Sequence, residues 1–199
     1  MGGLTLMTIV RWALVAAAMV WSTGIYAAGF GLEFGADPSK FDCSPVSSSP
    51  GHFLCRTPPK PHSAFEAYAV QASPKHGICW VKGVGKDISD NRFGSATKSA
   101  VDEMAQTLNR LYGPSQAIDI ILPRALWNEA NEWLMSIVQN ERFYGYQWKD
   151  LKSKRPMLDS VALAAQATGS STGYIALDYY ATFHEECSQA ILASEADSL

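Results

Sequence analysis

From residue 65 onward the apolar positions change period several times, and each change marks an element. Phe65-Glu-Ala-Tyr-Ala-Val70 and Ile78-Cys-Trp-Val-Lys-Gly83 have the β-branched and aromatic content of strands, with the turn-forming Ser73-Pro-Lys-His-Gly77 between them. The pair predicts a β-hairpin. A second hairpin is predicted near the C-terminus, where Val161, Leu163 and Ala165 alternate, Gly169-Ser-Ser-Thr-Gly173 turns the chain, and Ile175, Leu177 and Tyr179 alternate again.

Between the hairpins the period lengthens. Val101, Met104, Ala105, Leu108, Leu111 and Tyr112 recur at three and four residues, with Ser95 as a possible cap and Gly113-Pro114 as the stop. Leu126, Trp127, Ala130, Trp133, Leu134, Ile137 and Val138 repeat the pattern and predict a second amphipathic helix over about 124–140, with Pro123 in its first turn. Ala117–Leu122 reads as a short strand or an extended lead-in, Phe143–Trp148 as β-prone, Lys149–Arg155 as a solvated loop, and Phe183–Ser194 as a terminal helix. Strands interrupted by long helices, without regular βαβ alternation, indicate an α+β fold: an antiparallel sheet built from two hairpins, with two amphipathic helices packed on one face.

The N-terminal third is different in character. Arg11 precedes the apolar run Trp12–Trp21, and Ser22-Thr-Gly-Ile-Tyr-Ala-Ala28 follows, which is the three-part pattern of a secretory signal over residues 1–28. A ten-residue core is too short to span roughly 30 Å of hydrocarbon as a helix. Cleavage is expected after Ala27 or Ala28. Residues 29–64 are expected to supply a short strand around Phe30–Gly35, a helical turn after Asp37-Pro38, and a long Pro/Ser-rich loop over 42–64 without regular structure. They belong with residues 65–199 in one globular α+β unit, periplasmic or secreted.

Charge and cysteines narrow the chemistry. Without Arg11 the chain has 15 basic against 19 acidic residues, which argues against nucleic acid as a partner. Cys43, Cys55, Cys79 and Cys187 form an even set in an exported chain with no C-x-x-C pair, and so point to two disulfides rather than a metal site. Cys43 and Cys55 bracket the Pro/Ser loop, whereas Cys79 and Cys187 lie on the first hairpin and just past the last strand. That arrangement favours Cys43–Cys55 and Cys79–Cys187 among the three possible pairings.

No catalytic constellation stands out. Gly83-Val-Gly85-Lys86 lacks the spacing of a phosphate loop, there is no G-x-S-x-G or H-E-x-x-H, and no cofactor is implied. His184 and Cys187 share a helix face, but an oxidised Cys187 cannot attack. Glu129 and Glu132 lie three apart and read as solvated surface. Aromatic residues exceed what the core needs. Tyr146, Trp148, Tyr174 and Tyr180 are the candidates for a binding face, since Tyr and Trp are favoured where proteins meet.

Phe30–Phe41, Leu108-Asn-Arg-Leu-Tyr-Gly-Pro114, the isolated Trp148 and Gly173-Tyr-Ile-Ala-Leu-Asp-Tyr179 together resemble a loose group of small exported bacterial domains of unknown function. The resemblance implies a bacterial envelope setting and an α+β fold, and brings no catalytic residues with it. The expectation is an exported, non-catalytic protein that binds another protein, such as an envelope inhibitor or immunity protein. The alternatives are a small periplasmic hydrolase and an envelope assembly or structural factor.

Overall fold

The two predicted hairpins turn out to be the middle of a larger sheet. The computed structural model describes residues 27–196. The predicted signal segment falls almost entirely outside them. The strands are β1 (Cys43–Pro45), β2 (His52–Cys55), β3 (Phe65–Ser73), β4 (Gly77–Gly85), β5 (Ile88–Ser89), β6 (Gln116–Ile121), β7 (Arg142–Trp148), β8 (Leu158–Gly169) and β9 (Thr172–Ala181). Their order in space is β1-β2-β3-β4-β9-β8-β7-β6, with β5 pairing the start of β9, and every pairing is antiparallel. The helices are α1 (Ser95–Tyr112), α2 (Trp133–Val138) and α3 (His184–Ala196).

Side-chain alternation divides this sheet into two unlike faces. On one, Val161, Leu163 and Ala165 of β8 stand opposite Tyr179, Leu177 and Ile175 of β9, and all are buried. Val101, Ala105, Leu108 and Tyr112 of α1 cover this face. Burying a large side chain such as Leu or Val contributes roughly 1.5–3 kcal/mol, so the four-residue stripe accounts for the docking of α1. The helix comes close enough at Gly173 that a Cβ there would overlap Thr97, which is why the last strand begins with glycine on this side. The N-terminal segment fills the remaining gap on the same face: the Phe30 ring packs edge-on against Phe65, Tyr68 and Tyr179 at centroid distances of 5.0, 4.8 and 5.8 Å.

Four expectations are corrected. Phe30–Gly35 is not a strand: Phe30, Gly31 and Gly35 have positive φ, and the segment turns on itself with a single bridge from Ala27 to Glu33. The 42–64 segment is not without regular structure, because its Pro/Ser residues form the bend of a small hairpin, β1–β2, rather than interrupting a strand. The 124–140 helix is cut to a 3-10 turn at Ala130–Glu132 followed by the six residues of α2. Arg124 at φ 68° interrupts the start, and Glu129 restarts the helix as a cap, so Leu126 and Trp127 precede it. There are three helices among the described residues, and they do not share a face. α3 lies on the other side, where His184 and Ser188 reach Gln71 of β3.

The first turn of α1 is capped from outside the helix. Gly94 occupies the cap position, while Asp90 accepts from Thr97 N at 2.7 Å, Thr97 Oγ1 at 2.7 Å and Ala96 N at 3.1 Å. Ser95 is the first helical residue and does not cap. The two disulfides join Cys43 to Cys55, directly opposed on β1 and β2, and Cys79 of β4 to Cys187 of α3, 108 residues apart. None of the helices described is long and apolar enough to cross a membrane.

Candidate binding face on the open side of the sheet

Among the described residues, the second face of the sheet carries only α3, at one end. Register places two rows of residues across the rest. His52, Gln71, Trp80, Tyr180 and Ser160 stand side by side on β2, β3, β4, β9 and β8. One step along, Leu54, Ala69, Lys82, Asp178, Ala162 and Gln147 do the same from β2 to β7. Tyr174 and Gln166 are opposed farther along β9 and β8. The rows mix small residues with a few large aromatic and charged ones, so flanking side chains rather than a further element screen the central positions.

Asp178 sits at the centre and is 7 % exposed. Its one charged partner is Lys82, directly opposite, with Nζ 3.4 Å from Oδ1 and 3.5 Å from Oδ2. Oδ1 is within ion-pair reach but outside hydrogen-bond geometry, so it remains a buried acceptor with no donor. Both contacts are long for a charge-assisted bond, which settles near 2.7–2.9 Å. Burial pushes the Asp178 carboxyl above its ordinary value, and the Lys82 ammonium, with a smaller contribution from the Trp80 indole N–H, only partly opposes that. Lys82 also lies 5.7 Å from the centre of the Trp80 ring. Buried, poorly paired charge is costly to a fold, and it concentrates at functional sites.

Aromatic side chains rim this carboxylate. Trp80 and Tyr180 flank it in the next row, and Tyr180 makes an edge contact with His184 at 5.1 Å. The Tyr180 hydroxyl is raised above its ordinary value by burial first and by the Asp178 charge second. The His184 ring, whose Nε2 is 3.1 Å from Gln71 Oε1, is held below its ordinary value by burial, with Glu185 pulling the other way.

The four aromatic candidates separate. Tyr174 and Tyr180 are half-buried on the open face. Tyr146 and Trp148 project to the helix-covered face. Trp148 is 1 % exposed, and its indole Nε1 donates to Asn109 Oδ1 and to the Gly113 carbonyl, so it fastens the end of α1 to β7 as part of the core. Tyr146 and Tyr144 both donate to Asp102 Oδ1, at 2.9 and 2.8 Å. Lys82 and Asp178 are not among the sequence-based candidates, and Trp80 enters the sequence reading only as a residue of the first hairpin. The available signal was an acid in the middle of a strand whose neighbours Leu177 and Tyr179 are core, flanked at two and four residues by tyrosines that share its face.

The pairs considered for catalysis have structural partners. Cys187 is disulfide-bonded to Cys79. Glu129 and Glu132 form a reciprocal capping box, the Glu132 carboxylate accepting from Glu129 N at 3.2 Å. His184 opens α3, whereas the glutamates lie in the β6–α2 connection. A cleft of about 510 Å³ lies between the β3–β4 turn and the end of α3. It contains Ser73 and His76, whose Oγ and Nδ1 are 3.1 Å apart; the same Oγ accepts from His76 N, which makes it a turn-closing contact. Among the described residues no group of three His, Cys, Asp or Glu side chains is placed to hold a metal ion. No family model, curated protein or solved structure matches the chain.

Proposed function

We propose that this chain is an exported protein that binds another protein through the open face of its sheet, in the manner of an envelope inhibitor or immunity protein. The observation that carries the reading is the buried, poorly paired Asp178 carboxylate on the largely uncovered face, with Trp80 and Tyr180 beside it and Tyr174 farther along β9. Large amphipathic rings around a desolvated polar centre are the composition of an interface hot spot. Trp80 and Tyr180 supply the anchoring area, and the Lys82–Asp178 pair supplies a dipole that a partner must match to dock. Two disulfides are of the kind found in exported proteins and support that setting.

Affinity recovery from envelope and culture fractions tests the proposal, with the tagged wild type beside Trp80→Ala/Tyr180→Ala. The reading predicts a stoichiometric protein partner with the wild type and at least tenfold less with the double variant, since truncating each anchor of a hot spot costs about 2 kcal/mol or more. Equal recovery of the partner by both proteins would place binding elsewhere.

A further inference from the structure

The two edges of the sheet are unlike. β1 is three residues long, ends in Pro45 and is bonded to β2 through Cys43–Cys55, all of which discourage another strand from adding there. β6 closes the opposite edge with Gln116-Ala-Ile-Asp-Ile-Ile121, which contains no proline, lysine or bulge. Five of its six residues are exposed. Of the nine large apolar side chains exposed among the described residues, five cluster at this edge: Ile120, Ile121, Leu122, Leu126 and Phe143. Long, flat, apolar edges pair with other strands unless they are blunted.

The backbone states which groups are on offer. Leu122 N donates to Glu141 O on the β7 side at 2.7 Å. Because successive residues of a strand direct their N–H and C=O to opposite sides, Ile118 and Ile120 face β7, and Ala117, Asp119 and Ile121 present theirs outward. Side chains alternate as well: Ala117 stands opposite Tyr146 on the helix-covered face, which puts Ile118, Ile120 and Phe143 on the open one.

We infer that β6 pairs antiparallel with β6 of a second copy, about a two-fold axis at Ile120. Charge and apolar matching select the occupant and the register together. Centring on Asp119 would oppose two carboxylates. Centring on Ile118 would set Gln116 against Ile120. Centring on Ile120 sets Ile120 against itself and Ile118 against Leu122, extends that row on both sides through Phe143, and places Asp119 opposite Ile121, which neighbours Arg142 on its own sheet. Arg142 already reaches Asp119 within one chain at 3.0 Å, so in this register each carboxylate keeps its own arginine and has an apolar side chain, not a second carboxylate, directly opposite. Asp119 and Ile121 of the two copies exchange backbone hydrogen bonds. The axis is perpendicular to the sheet, so both sheets become one and both open faces look the same way.

Sedimentation equilibrium on the full mature chain tests this, together with Ile120→Cys and Ile120→Lys. Ile120 pairs with itself at a non-hydrogen-bonded position, where Cα atoms approach to about 4.5 Å, close enough for a disulfide. The expected result is a concentration-dependent dimer, a disulfide-linked dimer of Ile120→Cys in air that reductant reverses, and a monomer for Ile120→Lys that still unfolds cooperatively, with a melting temperature that no longer depends on concentration. A monomer at every soluble concentration overturns the inference and leaves the edge to a strand of a different protein. A dimer unaffected by Ile120→Lys overturns it as well.

Discussion

Acid acts on Asp90 and Asp178 in opposite directions, because one carboxylate is well supplied with donors and the other is not. Burial pushes Asp90 up, but the Thr97 hydroxyl and N–H and the Ala96 N–H outweigh it and hold its carboxyl below the ordinary value. Its contribution is therefore complete above the ordinary carboxylate pKa and is lost as pH falls through the folded value. Asp178 is raised. Its favourable contribution is complete below the ordinary value and is lost as pH rises through the folded one, so at neutral pH the ionised group is carried at a cost. Urea unfolding from pH 7 to about pH 2 separates the two, Asp178 responding above the ordinary carboxylate pKa and Asp90 below it. Asp90→Ala should cost about 1 kcal/mol at pH 7, the usual loss for a helix cap, and less as pH falls. Asp178→Asn should be at least as stable as wild type at pH 7, with wild type gaining on it toward pH 4. A loss of about 3 kcal/mol for Asp178→Asn, the cost of breaking a well-made buried ion pair, would mean that Lys82 satisfies the carboxylate after all.

At the level of elements, the hairpins of β3–β4 and β8–β9 and the helix α1 are legible in the sequence because local pattern and tertiary burial agree there. The alternation at 161–165 and 175–179 is the alternation of the two faces, and the stripe Val101–Tyr112, apart from the exposed Leu111, is the stripe that packs. Trp127 and Leu126 fit a helical period equally well but precede a restart at Glu129, a choice made by backbone angles at Arg124 that periodicity does not reveal. β1 and β2 were hidden by the prolines around them, since a hairpin held by a disulfide tolerates residues that a free strand would not. The disulfides give an element-level prediction. By the chain-entropy argument, a bond closing 108 residues stabilises by roughly 5 kcal/mol and one closing 12 by roughly 3. Cys79→Ser/Cys187→Ser should lower the melting temperature more than Cys43→Ser/Cys55→Ser, measured by calorimetry under non-reducing conditions. The reverse order would mean that α3 holds its place without the bond.

Across the whole molecule, α1, α2 and the N-terminal segment seal one side of the sheet, while among the described residues the other carries α3 at one end and is otherwise left to side chains. That division was not legible in the sequence, because Lys82 and Asp178 are 96 residues apart and are brought together only by the β4–β9 pairing. Tyr174 and Tyr180 were visible as surplus aromatic residues on the second face of one strand; Tyr146 and Trp148 were not separable from them until β7 was placed with its aromatic side under α1. The most direct measurement of the central claim is site-specific photo-crosslinking in the native host, with the reactive group at position 180 on the open face and, as control, at Gln106 on the exposed side of α1. The expected result is one discrete adduct with another protein from position 180 and none from position 106. An adduct from position 106 alone, or equal adducts from both, would contradict a binding role for the open face.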